Sequence, residues 1–245
     1  MTLRPVPEAW PTVFAQNVPL YARLPPEDQV ELQGHMQVLL AEKRFEGCND
    51  LEITDEICAT IAAQACLLLL HRHTDYYPRV SSSLVYPTAF VVPLVEEEED
   101  GSVVTESEEP RVGEAWSEGT VILSWEDVLD DANDVHDGSN VVLHEFAHQL
   151  DMEDEHANGA PILSEPSSYV DWARVLGSEY RVLRSKVRRG GRTVLDTYGA
   201  EDPAEFFAVA TECFFERPRA LKSAHPDLYA QLQHYYQQDP IAFGL

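Results

Sequence analysis

Cysteine is scarce in this chain of 245 residues, and its distribution excludes two kinds of structure. The chain has four cysteines, widely spaced and without a C-x-x-C pair: Cys48, Cys58, Cys66 and Cys213. A disulfide-stapled scaffold and a thiolate zinc site both need closely patterned cysteines, so neither is expected. We expect the four thiols to be reduced and packed in the interior.

Basic residues are also few, since 17 lysines and arginines face 43 aspartates and glutamates. The formal net charge of −26 repels phosphate backbones and anionic lipid surfaces, so neither direct nucleic-acid binding nor membrane binding is expected. The longest apolar run, residues 57–70, is too short to span a bilayer and contains Thr60 and Gln64. The first ten residues lack the basic start and apolar core of a secretory signal. These absences predict a cytoplasmic protein.

The pentapeptide H-E-F-A-H, residues 144–148, is the strongest chemical signal in the chain. On a helix, His144 and His148 lie on one face and can bind one metal ion, while Glu145 can act as a general base. An accidental match is the alternative. Against it, apolar residues surround the motif, and neither Gly nor Pro interrupts residues 139–152. Two buried imidazoles and a carboxylate need partners, which a metal ion supplies.

A catalytic zinc site needs a third protein ligand, which must come from outside this helix. In the compact version of the motif Gly and His follow at fixed distances, but Asp151 and Asp154 occupy those places. Downstream, Asp202 and Pro203 predict the start of a second helix, with Glu205 in its first turn. Glu205 is therefore the candidate third ligand. The alternative is a capping box, in which Glu205 reaches back to the backbone of Asp202 and another acid, such as Glu212, serves the metal.

These residues resemble the Mlc titration factor A family of bacterial zinc peptidases, whose active site is similar to the catalytic domain of anthrax lethal factor. The resemblance rests on H-E-F-A-H-Q-L-D at residues 144–151, on a tyrosine downstream, and on P-A-E-F-F-A at residues 203–208. It implies one zinc ion per chain, held by His144, His148 and Glu205. It also implies that Glu145 is the base and that Tyr198 stabilises the oxyanion.

The resemblance predicts an α+β fold, a mostly helical zincin-like domain with a small β-sheet beside the H-E-x-x-H helix. We expect helices over about residues 25–44, 54–71, 139–152, 164–188 and 203–217, and strands at residues 84–92 and 120–124. The second strand is the expected edge strand for an extended substrate, because it leads into the metal-binding helix. Asp151 is expected either to orient His148 or to lie on the surface.

We expect residues 1–245 to form a single domain carrying an acidic insertion at about residues 96–118, which departs from the family pattern. This segment has ten acidic residues against one arginine. Such a run repels itself, which predicts a mobile loop or a long hairpin tip with a solvated face. A recognition element is the alternative.

The function expected from these residues is metal-assisted hydrolysis of peptide bonds in a peptide or protein substrate. An aminopeptidase-like activity is expected, although the residues leave an endopeptidase open. The family's namesake sequesters a glucose-responsive transcriptional repressor, so such a repressor is a second expected partner. The competing hypothesis is a non-catalytic regulatory protein with a structural or vestigial zinc site. Glu145 favours the enzyme, because a structural site needs no general base.

Overall fold

The computed structural model describes residues 6–73, 75–91, 94–97, 103–106, 110–111, 113–116 and 119–244. For the strand residues between 90 and 118 it describes only the backbone. The α-helices of these residues are α1 Trp10–Asn17, α2 Pro26–Glu42, α3 Asp55–Leu67, α4 Trp125–Asn133, α5 Val141–Asp151, α6 Ser168–Arg188, α7 Pro203–Glu216, α8 Pro218–Ala224 and α9 Pro226–Tyr236. Short 3-10 helices occupy Tyr21–Arg23, Met152–Asp154, Thr197–Ala200 and Pro240–Phe243.

The strands are β1 Arg44–Gly47, β2 Ser82–Tyr86, β3 Phe90–Val91, β4 Leu94–Glu97, β5 Val103–Glu106, β6 Pro110–Arg111, β7 Gly113–Trp116 and β8 Thr120–Ser124. The main sheet has the order β1-β2-β8-β7, in which the first three strands are parallel and β7 is antiparallel to β8. Helix α5 packs against β7 and β8. The expected mostly helical α+β architecture, with a small sheet beside the H-E-x-x-H helix, is confirmed.

The expectation that residues 120–124 form the sheet edge is wrong. Strand β8 lies inside the sheet, with β2 on one side and β7 on the other, so β7 is the edge strand beside α5. The sequence of β7, G-E-A-W, has no β-branched residue and lies within the acidic segment, so it carries little strand signal. The long strand expected at residues 84–92 is divided instead. Strand β2 ends at Tyr86, before Pro87, and the last residue of that stretch lies outside the described residues.

The helix boundaries follow local capping chemistry. The Thr54 side chain accepts a hydrogen bond from the backbone N–H of Ile57 and starts α3, which ends at Leu67, earlier than expected. Helix α6 starts four residues later than expected, at Ser168, and gives way to Gly190 in the left-handed conformation, with φ +64°. These differences change no element that carries a candidate site residue.

The core lies where α5 and α7 pack against each other, with α3 behind α5. Helix α7 contributes four buried phenylalanines to the core, Phe206, Phe207, Phe214 and Phe215, and their rings contact aromatic residues of α6 and α9. Helix α5 is also buried over most of its surface, as its apolar sequence predicts. Burial of both helices fixes their side chains in single positions, which gives the polar residues between them a rigid frame.

Part of the acidic segment pairs as a hairpin. Strand β4 is antiparallel to β5, while β6 is antiparallel to β3. Residues 98–102, 107–109, 112 and 117–118 of the expected insertion lie outside the described residues. None of the helices that the structure describes has both the length and the apolar composition required to cross a membrane.

Candidate metal centre

Three potential metal-binding atoms meet between α5 and α7. The Nε2 atoms of His144 and His148 are 3.1 Å apart. The Oε2 atom of Glu205 lies 3.0 Å from the first and 3.4 Å from the second. The three residues that the sequence predicted as ligands therefore form one compact group, compatible with a metal site.

The size of this triangle fits a metal ion. For zinc–nitrogen and zinc–oxygen distances of about 2.0–2.2 Å, neighbouring ligand atoms of a tetrahedron are about 3.3–3.5 Å apart. The three observed separations, 3.0 to 3.4 Å, are close to that range. One carboxylate and two imidazoles are also ligand types that zinc and other divalent transition metals accept. An ion can therefore be held with only small shifts of the side chains.

Glu205 is turned toward the histidines. The Asp202 side chain caps α7 by accepting hydrogen bonds from the backbone N–H groups of Ala204 and Glu205, at 2.7 and 2.9 Å. The Glu205 carboxylate faces His144 and His148 instead of completing the capping box. Asp202 alone thus provides the side-chain cap, and Glu205 remains available to a metal ion.

The sequence indicated Glu212 only as a competing metal ligand, whereas the structure places it beside the other ring nitrogen of His144. Its Oε1 atom lies 2.7 Å from Nδ1 of His144. Glu212 follows Glu205 by seven residues, two helical turns, so both carboxylates lie on the same face of α7. This seven-residue spacing is the sequence signal that could have indicated that Glu212 lies near the site. A hydrogen bond from Nδ1–H to Glu212 places the free lone pair of His144 on Nε2, the atom that faces the other two ligands.

The start of α5 is held by a group of buried polar side chains. Asn140 caps the helix by accepting a hydrogen bond from the backbone N–H of Leu143, and its own N–H donates to Glu212 at 2.6 Å. Its side-chain amide donates to Gln64 and to Glu216, at 2.8 and 3.1 Å. Carboxylates near a helix start satisfy its free N–H groups and complement its dipole. This group sets the position of α5, the helix that carries His144 and His148.

The charges of the site act on one another. Burial disfavours the charged form of His144, but the carboxylates of Glu212 and Glu205 outweigh it and raise the pKa of the imidazole well above its ordinary value. Burial also raises the pKa of Glu205, whereas the hydrogen bonds from His144 and His148 are the larger effect in sum and lower that pKa to about 2. Negative charge therefore surrounds the imidazoles, which suits a cation.

Glu145 and Tyr198 lie beside the three ligand candidates. Glu145 is buried on α5, and its charge is among those that raise the pKa of His144. Tyr198 is half-exposed, and its ring centre lies 6.0 Å from that of His144. The Asp196 carboxylate accepts the backbone N–H of Tyr198 at 2.7 Å and holds the 3-10 turn that carries it. The close approach of Gly199 to Val209 fits this turn against α7.

Asp151 is held by the loop after α5, and the expectation that it orients His148 stays a prediction. It is buried, so the surface hypothesis is wrong. Its Oδ2 atom accepts the backbone N–H of Gly159 at 2.7 Å, and its other hydrogen-bonding neighbours in the described part of the chain are backbone groups of residues 158–160. Gly159 has φ +73°, and a Cβ atom there would clash with the carbonyl of Pro203. Asp151 therefore ties the end of α5 to the loop that passes the start of α7.

Comparison with known proteins assigns the chain to a family. The model of the family described as glucose-regulated metallo-peptidase M90 matches residues 1–237. The chain belongs to the M90 family. It is 43% identical to an uncharacterized protein of Synechocystis sp. over 97% of this chain and 86% of that protein. It is 33% identical to the Mlc titration factor A of Klebsiella pneumoniae, over 93% and 85% of the two chains, and 32% identical to that of Salmonella agona, over 95% and 88%.

Membership of M90 confirms the resemblance to the Mlc titration factor A family. It places the chain in a metallopeptidase-like class, for which a metal ion is implied, and the group formed by His144, His148 and Glu205 is compatible with one.

The M90 chain has a second group of possible metal ligands in its described residues, Asp28, Glu31 and His71. There, His71 Nε2 lies 2.8 Å from Asp28 Oδ1, and the backbone N–H of His71 donates to Glu31 at 2.8 Å. These contacts join α2 to the segment after α3. They account for the arrangement without an ion.

Proposed function

We propose that this chain is a zinc-dependent peptidase that hydrolyses peptide bonds with an aminopeptidase-like specificity. One zinc ion per chain would be held by His144, His148 and Glu205. The observation that carries the proposal is the triangle of their Nε2 and Oε2 atoms, with sides of 3.0 to 3.4 Å. Membership of a metallopeptidase family supports it.

The residues around this triangle have separate tasks in the reaction. A bound zinc ion supplies Lewis acidity, which polarises the scissile carbonyl and makes water a stronger acid. Glu145 takes the proton of the attacking water and later delivers it to the leaving amine. The Tyr198 hydroxyl donates a hydrogen bond to the oxyanion of the tetrahedral intermediate. Glu212 fixes the orientation of His144 through Nδ1.

The sheet edge supports a peptide substrate. Strand β7 is the edge strand and packs against α5, the helix that carries the ligands. An extended peptide can add to such an edge through backbone hydrogen bonds, which align it without regard to its side chains. We propose β7 as the strand that aligns the substrate.

The experiment that tests this function is metal analysis combined with peptide hydrolysis. We expect about one zinc per chain. A panel of short peptides with free and with blocked N-termini should be cleaved, with the free amino terminus preferred. A chelator should remove zinc and activity together, and added zinc should restore both. Zinc at full occupancy with no cleavage of any peptide would contradict the enzymatic proposal and favour a structural or vestigial site.

A second function, binding of a transcriptional repressor, is proposed because the relatives from Klebsiella and Salmonella are named Mlc titration factor A. A cytoplasmic location belongs to this proposal, since a repressor is found there. The two functions are compatible with each other. Binding of a purified Mlc-type repressor, measured by calorimetry for the intact chain and for Glu145→Gln, should be equal for both proteins if binding is independent of hydrolysis. No binding to either protein would exclude this function for the repressor tested.

A further inference from the structure

A cavity of about 250 Å³ lies apart from the metal centre. It is lined by the segment after α3, by the 3-10 helix that follows α5, by the loop before α6 and the start of α6, and by the end of α9. His144, His148 and Glu205 do not line it. Its size is just below the range of about 300–1,000 Å³ typical of pockets for drug-sized ligands, so it suits a smaller molecule.

Arg72 brings a positive charge to this cavity in a protein with net charge −26. The guanidinium lies over the ring of Tyr235, 4.2 Å from its centre. Its Nη1 atom is enclosed and meets no acceptor with hydrogen-bond geometry in the described part of the chain. No carboxylate of those residues lies within 4.0 Å of the guanidinium. An enclosed guanidinium N–H group without an acceptor is costly, and it favours a ligand that brings an anionic acceptor.

Glu153 lines the same cavity and carries the opposite charge. Glu153 and Arg72 are too far apart to form an ion pair in this structure. Each charge nevertheless favours the charged form of the other group, because the Glu153 charge acts to raise the pKa of Arg72 and the Arg72 charge acts to lower the pKa of Glu153. The wall between them contains apolar side chains of Ile162, Leu163 and Trp172, and Ile162 is exposed. The remaining lining residues are polar and include His73 and His234. A positive group, a negative group and an apolar wall thus share one small space.

We propose that this cavity binds a free amino acid or a dipeptide with an apolar side chain. The ligand's carboxylate contacts Arg72, its ammonium group contacts Glu153, and its side chain packs against Ile162, Leu163 and Trp172. This assignment uses both charges of the cavity, whereas a simple anion would leave Glu153 opposed to it. It is independent of whether the metal centre is catalytic.

The test uses three ligands that differ in their charged groups, measured by calorimetry with the intact metal-loaded protein. Leucine carries both charges, leucinamide lacks the carboxylate, and N-acetylleucine lacks the ammonium group. Arg72→Gln should weaken leucine and N-acetylleucine by about 10- to 100-fold, as expected for a lost hydrogen bond to a charged group, and should not weaken leucinamide. Glu153→Gln should weaken leucine and leucinamide similarly and should not weaken N-acetylleucine, because it removes a negative charge that opposes this anion. Arg188→Gln, an exposed arginine at the end of α6, is the matched control.

Several results would overturn the proposal. One is the absence of leucine binding at millimolar concentration. Another is an equal loss of affinity for all three ligands in each variant. Amino acids also chelate metal ions, so His148→Ala is measured as well. Leucine binding that disappears in His148→Ala but persists in Glu153→Gln would assign the ligand to the metal centre. Arg72 packs on Tyr235, so the variant Arg72→Gln can lose its fold. In that case the affinities of Glu153→Gln for the three ligands test the proposal without it.

Discussion

The Glu212 carboxylate connects the imidazole of His144, a candidate metal ligand, to the start of α5, the helix that carries His144. One oxygen lies 2.7 Å from His144 Nδ1, and the other accepts the backbone N–H of Asn140 at 2.6 Å. Asn140 and His144 are one helical turn apart, so a single side chain of α7 fixes both the helix start and the ring orientation. The Nε2 atom of His144 is thereby directed to the space that it shares with His148 and Glu205.

This relationship predicts different effects for the two glutamates of α7. Glu205→Gln removes a charged ligand and should abolish stoichiometric zinc binding. Glu212→Gln should retain the site but lower zinc affinity by about 10- to 100-fold, the usual effect of losing an outer-shell partner of a metal-binding histidine. Competition with a chromophoric chelator measures both affinities. Glu201→Gln, an exposed change near the start of α7, should leave affinity unchanged. Loss of zinc in Glu212→Gln together with full binding in Glu205→Gln would reverse the assignment.

The sequence predicted the elements of this site because its signals are local. Asn140 and Asp202 are side-chain caps with short-range partners, so the starts of α5 and α7 follow from neighbouring residues. The i,i+4 spacing of His144 and His148 needs only the helix. The choice of Glu205 over the capping box depended on how α5 and α7 meet, and the family resemblance supplied that information.

The sequence did not predict what depends on packing between distant segments. Glu212 was considered only as a competing ligand, because the register of α7 against α5 decides that it reaches Nδ1 of His144. The partner of Asp151 lies in a later loop, where Gly159 permits a close approach to Pro203. Strand β7 was not predicted, because its place in the sheet depends on pairing with β8 and its residues have little strand propensity of their own.

Glu145→Gln tests the assignment of the general base. The amide has the shape of the carboxylate but cannot accept a proton, so we expect hydrolysis to fall by about 10²- to 10⁴-fold. Zinc content and the thermal unfolding midpoint should stay near those of the wild type. Glu126→Gln, an exposed change on α4, is the control for removal of one negative charge. Full activity in Glu145→Gln would remove the proposed mechanism.

Tyr198→Phe tests the oxyanion contact. Removing one hydrogen-bond donor to a developing oxyanion typically lowers kcat by about 10²- to 10³-fold. Because the donor acts in the transition state, KM should change little, and zinc content should be unchanged. The phenyl ring keeps the contact with His144, so the metal centre itself is preserved. A rise in KM with unchanged kcat would instead assign Tyr198 to substrate binding.

Glu216 predicts a pH dependence of stability. Burial, with help from Asp137, Glu212 and Asp131, raises the pKa of Glu216 from 4.5 to about 10, despite the hydrogen bond from Asn140. The folded protein thus keeps a proton that the unfolded chain releases above pH 4.5, so this group lowers the free energy of unfolding as pH rises from 4.5 towards 10.

Glu216→Gln mimics the protonated acid and should remove that part of the pH dependence. Chemical unfolding of metal-free protein across this interval should show a flatter curve for the variant, which becomes relatively more stable as pH rises. Other titrating groups, including His144, contribute to both curves, so the difference between them isolates Glu216. Parallel curves would mean that Glu216 is ionised in the folded protein at neutral pH.

The acidic insertion remains a prediction, and the sheet topology now sets the boundaries for testing it. Strands β4 and β5 pair with each other, whereas β7 pairs with β8 and packs against α5. Replacing residues 96–109 with a short Gly/Ser linker therefore keeps β7. We expect folding, zinc content and cleavage of a short neutral peptide to be unchanged, because the replaced segment has too little apolar residue content to stabilise the core.

A basic peptide should respond differently to the same replacement. Eight of the ten acidic residues at 96–118 are removed, and such a density of negative charge raises the local concentration of basic chains. The replaced protein should cleave a basic peptide with a higher KM at low salt, and the difference should shrink at high salt, where charges are screened over about 10 Å or less. A larger replacement, of residues 96–116, also removes β7 and should impair cleavage of the neutral peptide as well. Loss of zinc after the shorter replacement would show that residues 96–109 are part of the fold and would contradict the solvated-insertion hypothesis.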